Sequence, residues 1–140
     1  MGLSSDAILF YGLELGEDSP FIGQDVDDIE TSWNNEHGCP EPPDSKDYRG
    51  AEWKAWRKEK DEWEKTGNGI RVGCHCCDGD PIEYVTLMAH EYTAFRGHAE
   101  KVDPAKLEPT QEQKDSLLEF CEKYGIDCSE PGWFLVSWMG

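Results

Sequence analysis

The strongest constraint on this chain is the segment WFLVSWM at 133–139, in which every residue except Ser137 is apolar. A β-prone run of that kind cannot hang free in water, so it reads as an interior or well-covered strand, and other strands must exist to pair with it. Three stretches qualify. Residues 5–14 carry an apolar run that ends at Gly16-Glu17-Asp18, and residues 70–77 and 82–89 are short β-branched runs joined by Asp78-Gly79-Asp80. An Asp-Gly pair between two such runs is a hairpin signal. A weaker candidate strand, 91–102, is interrupted at Gly97.

Two helices are expected to cover this sheet. Residues 48–65 are built of good helix formers, and Thr66-Gly67-Asn68-Gly69 stops them. At 100° per residue Trp53, Trp56 and Trp63 fall within about 80° of one another, a stripe that predicts packing on the sheet, with a ligand-stacking platform as the lesser alternative. The alternating charges of 57–62 read as its solvated face. The second helix, 111–124, opens at Thr110 with the T-x-x-Q capping-box spacing to Gln113; Leu117, Leu118, Cys121 and Tyr124 form its apolar face, and Gly125 ends it.

Residues 16–47, rich in Asp, Gly, Pro, Asn and Ser, read as a long acidic insertion loop. Only Val26, Ile29 and Trp33 offer weak helical spacing there, and Cys39-Pro40-Glu41-Pro42-Pro43 breaks any regular element. The chain has 140 residues, enough for one core, and although only 37% are hydrophobic, its six Trp, five Tyr and five Phe can fill it. The expectation is therefore a single α+β domain over 1–140, with a mixed, largely antiparallel sheet, two helices and the acidic loop. Trp53, Trp56, Trp63, Leu117, Cys121, Phe134 and Val136 are expected to be buried.

Charge restricts the function. The net charge is −17, and residues 1–45 hold eleven acids with no Lys or Arg. Direct binding to nucleic acid or to an anionic membrane is thereby disfavoured, and no apolar window is long enough to span a bilayer. With no visible export signal and six cysteines of unscaffolded spacing, the reading is a cytoplasmic protein with free thiols. Unneutralised acidity speeds encounter with a basic surface. The leading reading is a non-enzymatic interaction protein that binds a basic surface of a host protein, as a nucleic-acid mimic or inhibitor. Asp18, Asp25, Asp27, Asp28 and Glu30 are its contact residues, and no cofactor is implied.

Two alternatives use the thiols. His37, Cys39, Cys74, His75 and Cys76 have ligand chemistry suited to zinc, although on a strand Cys74 and Cys76 face away from His75 and Cys77, and the usual C-x₂-C pairs are missing. A small Cys-dependent enzyme would pair a thiol with His75, His90 or His98, but no orienting group or oxyanion loop is visible. His90-Glu91 lacks the second His of H-E-x-x-H, 78–83 lacks the calcium-loop pattern, and no glycine-rich phosphate loop occurs. Arg96, beside Gly97, could clamp a carboxylate, and pairing with a surplus acid explains it equally.

The opening SSDAILFYG, the central GCHCCDGDPIEYVTLMA with YTAFRG, and the closing LLEFCEKYGIDCSEPGWFLVSWMG together resemble a family of small proteins of unknown function found in tailed bacteriophages and bacterial genomes. The stretches cover somewhat over a third of the chain. The resemblance implies a cytosolic, phage-type protein and carries no catalytic or binding residue with it; the acidic segment and the Trp-rich helix lie outside it.

Overall fold

A computed structural model describes residues 5–16, 20–21, 24–75, 82–128 and 130–139. Along the chain these form β1 (Ser5–Gly16), α1 (Val26–Glu36), α2 (Ala51–Thr66), β2 (Ile70–His75), β3 (Ile82–Ala94), a short 3₁₀ turn (Pro104–Lys106), α3 (Gln111–Tyr124) and β4 (Gly132–Met139). The described strands form one sheet in the order β2-β3-β1-β4, and every pairing is antiparallel rather than mixed. The fold is α+β.

The sheet bends at its centre. β1 and β3 pair in register from Ala7↔Ala94 to Phe10↔Glu91, then jump to Gly12↔Thr86, so β3 bulges through 87–90. Gly12 sits at the elbow, where a Cβ would lie 1.8 Å from the Val85 carbonyl oxygen, and only glycine allows that approach. What reads as separate strands at 82–89 and 91–102 is therefore one bent strand that ends at Ala94; Gly97 follows in a turn with φ +80°.

Side chains alternate across β1 and divide the apolar residues into two clusters. Leu13, with Tyr11 and Leu15 beside it, joins Phe21, Ile29, Trp33, Leu117, Phe120 and Cys121 under α1 and α3. On the other face Phe10 stacks on Tyr84 at 4.3 Å and on Phe134 at 5.4 Å, with Ile8, Val136 and Trp138 around them. The two outer strands, β2 and β4, also approach each other beside this aromatic patch.

Four expectations need correction. The acidic segment is not a loop throughout, because α1 occupies its centre, Asp25 caps it, and Ile29 and Trp33 enter the core; the helices number three. β4 is an edge strand and not an interior one: Leu135 is 74% exposed, and Phe134 and Val136 are only partly buried. α2 buries none of its residues, and Trp53, Trp56 and Trp63 are half-exposed. Their indole N–H groups decide this. Trp53 donates to Ser45 O at 2.8 Å, Trp56 to Pro40 O at 3.1 Å and Trp63 to His37 O at 3.2 Å, so the stripe fastens the proline-rich segment 37–45 instead of entering the sheet core.

α3 begins and ends as expected, with a reciprocal Thr110–Gln113 capping box and Gly125 in the left-handed region at φ 68°. Gln113 reaches further. Its carbonyl accepts from Thr110 N–H and from His90 Nε2–H, and its amide donates to Gly67 O, which joins the start of α3 to the β3 bulge and to the end of α2. Among the described residues no helix is long and apolar enough to cross a membrane.

Candidate functional site

α1 carries three of the five acids singled out by sequence and Asp25 caps it; Asp18 lies outside the described residues. Asp25 accepts from Asp27 N–H at 3.0 Å as the helix cap, and Asp27 and Asp28 follow in the first turn, where the helix dipole favours negative charge. All three are exposed. Among the described residues no Lys, Arg or His nitrogen forms an ion pair with them, whereas Glu36, farther along the helix, pairs with Lys123 at 3.6 Å.

Glu30 behaves differently. It is half-buried and accepts from the main-chain N–H of Val72 on the free edge of β2. Burial holds its carboxyl above the usual range, opposed by the Val72 N–H and by the Arg71 charge. One turn on, Asn34 continues the same ladder: its side-chain oxygen accepts from Ile70 N–H at 3.0 Å and its amide donates to Ile70 O at 3.1 Å. Residues i and i+4 of a helix thus pair with alternate residues of an edge strand, covering main-chain groups that would otherwise attract another strand. Neither partner was identifiable from sequence; the available signal was the polar Glu30 and Asn34 on the face that also carries Ile29 and Trp33.

Beyond Glu30, Arg71 of β2 forms an ion pair with Glu91, and Tyr84 donates to the same carboxylate at 3.2 Å. Desolvation raises the Tyr84 phenol above its ordinary value, with Arg71 acting against it. A cavity of about 360 Å³ lies where Asp27, Glu30, Arg71, Cys74, Tyr84 and Trp138 meet. A second, of about 260 Å³, lies on the other side of Glu30, against Trp56 and Trp63.

The four described metal candidates do not converge. Among the described residues no three His, Cys, Asp or Glu side chains gather as a metal site requires, and Cys76 lies outside those residues. His37 stacks on Trp33, and its Nδ1–H donates to Trp33 O at 2.7 Å. Cys39 points at Pro40 O, Cys74 is exposed, and His75 is buried with Nε2 3.0 Å from Glu14. Strand alternation separates Cys74 from His75 as expected.

Three of the described thiols are held against nucleophilic chemistry. Burial lifts Cys39, Cys121 and Cys128 above the ordinary thiol value, and Cys121 and Cys128 share a hydrogen bond inside the core. His37, His75 and His90 each hydrogen-bond a group other than a thiol. Two buried polar atoms, Trp33 Nε1 and His90 Nδ1, have no hydrogen-bond partner among the described residues. Arg96 contributes its main-chain N–H to Asp6.

Comparison with family models, with curated proteins and with solved structures gave no match.

Proposed function

We propose that this protein is a non-enzymatic, phage-type interaction protein of the cytoplasm that uses an acidic face to occupy a basic surface on a host protein, in the manner of a nucleic-acid mimic or inhibitor. The observation that carries this reading is the mounting of the acids. Asp25, Asp27 and Asp28 stand on a helix fixed by two core residues and by a side-chain ladder to β2. A charge display that is already ordered loses little conformational freedom when a partner docks, so more of its electrostatic attraction is retained as affinity. A solvated loop of the same composition would lack that advantage. Repulsion from phosphate backbones and anionic lipids disfavours both as direct partners.

The test is affinity capture from a host lysate at low and at moderate salt, with the wild-type chain and with D25N/D27N/D28N. A basic, nucleic-acid-handling partner should be retained at low salt, released by added salt and lost with the triple variant. The variant also weakens a helix start, so its melting curve must be recorded alongside. Capture that ignores both salt and the substitutions, or no capture at all, would sink the reading.

A further inference from the structure

The cavity of about 260 Å³ beside α2 is lined by the rings of Trp56 and Trp63, by Pro40 and Met88, and by the carboxylates of Glu30 and Glu64. Its size suits a side-chain-sized group better than a whole cofactor. The indole and Asn34 donors beside it are engaged, and Thr31, Asn35 and Lys60 complete the polar part of the lining. Both indole N–H groups go to the 37–45 segment, and the Asn34 amide goes to Ile70. The two indole faces and the Glu30 and Glu64 carboxylates together suit a cation rich in donors.

The cavity wall already binds one cation in this way. Lys60 Nζ sits 5.1 Å from the Trp56 ring centroid and 3.7 Å from Glu64. Its side chain is 40% exposed and can move into solvent, leaving that position to another cation. A planar, weakly hydrated guanidinium loses less on entering an apolar-walled site than a compact ammonium does, and it stacks on indole. Gly69 lets two of the lining side chains pack closely behind the cavity, since a Cβ there would lie 2.7 Å from both the Trp63 ring and the Met88 sulfur. We infer that this cavity receives the guanidinium of an arginine presented by the basic partner. The source of that arginine rests on the interaction reading above, and α1 supplies the link, since Glu30 and Thr31 line the cavity one turn from Asp27 and Asp28.

Cys39 also lines the cavity and reports on its occupancy, while the exposed Cys74 serves as control. The intact protein is titrated with N-acetylarginine amide, N-acetyllysine amide and the neutral N-acetylcitrulline amide, and alkylation of each thiol is followed by peptide mass spectrometry. Arginine should slow Cys39 alkylation at least about fivefold at saturation with Cys74 unaffected, lysine should act only at higher concentration, and citrulline should not act. Glu64→Gln should weaken the arginine effect at least about fivefold while leaving Cys74 alkylation unchanged, with its melting curve recorded alongside. Equal protection by citrulline, or none by arginine, would overturn the inference. Protection of Cys39 combined with failed lysate capture would count against the acidic-surface reading alone, and the reverse result would remove only the arginine site.

Discussion

α1 and α2 are both fastened by side-chain hydrogen bonds to main-chain groups, and they differ in what lies behind the fastening. α1 sets a carboxylate and an amide against the edge of β2 and drives Ile29 and Trp33 into the core. α2 sets three indoles against a proline-rich segment and buries nothing fully. Similar hydrogen bonds therefore have different consequences. Where water is excluded, a lost partner leaves a polar group stranded; where it is admitted, water replaces the partner.

The largest test of this contrast is Trp33→Ala against Trp53→Ala. Emptying the first site should cost about 3–5 kcal/mol, the range for deleting a buried aromatic. The half-exposed Trp53 should cost about 1 kcal/mol, mainly its bond to Ser45 O. Urea denaturation of the two variants measures both, and equal losses would break the distinction. Next in size is Asn34→Leu, which strands the buried N–H and C=O of Ile70 and should cost about 2 kcal/mol, whereas Trp56→Phe should cost about 1 kcal/mol or less. Hydrogen exchange should show Ile70 N–H opened by the first substitution and unchanged by the second.

The smallest effect is one of pH. Glu30 holds its proton more tightly in the folded protein than in the unfolded chain, so ionising it opposes folding. Its contribution is most favourable below the ordinary carboxyl value and is lost as pH rises through the raised one. Glu30→Gln, which keeps an acceptor for Val72 N–H, should gain stability relative to wild type as pH is raised from acid toward neutrality. A difference between the two proteins that is flat, or that runs the other way, would contradict the burial of this carboxyl.

The features legible from sequence were those decided within a few residues. The Thr110–Gln113 box, the stop at Gly125 and the strands begun at Ser5, Ile70 and Ile82 needed only local chemistry, Cys76 and Cys77 of the expected 70–77 strand lying outside the described residues. Phe120 was equally legible, three residues from Leu117 on the same face, and the assignment of the α3 face omitted it although it is fully buried. Burial decided across the chain was not legible. Whether the 133–139 strand lies inside the sheet or at its edge depends on strand order, and the Trp stripe of α2 turned on carbonyls in a segment with no regular structure of its own. At the candidate site, the exposure of Asp25, Asp27 and Asp28 followed from their composition. The engagement of Glu30 with Val72 joins residues 42 positions apart, which no local pattern contains.

The placement of β1 between β3 and β4 has a consequence during synthesis. Neither neighbour of the first strand is made soon after it: β3 begins at Ile82, and the last pairing joins Ser5 to Met139. On the ribosome, Ile8, Phe10 and Leu13 must therefore wait in water while most of the chain is produced. Such long-range closure is slow and exposes the nascent chain to wrong partners. The unneutralised acids that follow β1 emerge next to it, and their mutual repulsion between neighbouring nascent chains keeps those strands apart. The acidic segment is therefore expected to act also as an internal solubiliser during synthesis. Ribosome-bound chains halted before residue 82 should pellet more readily when Asp25, Asp27 and Asp28 are replaced by Asn, and equal recovery in the supernatant would refute that role.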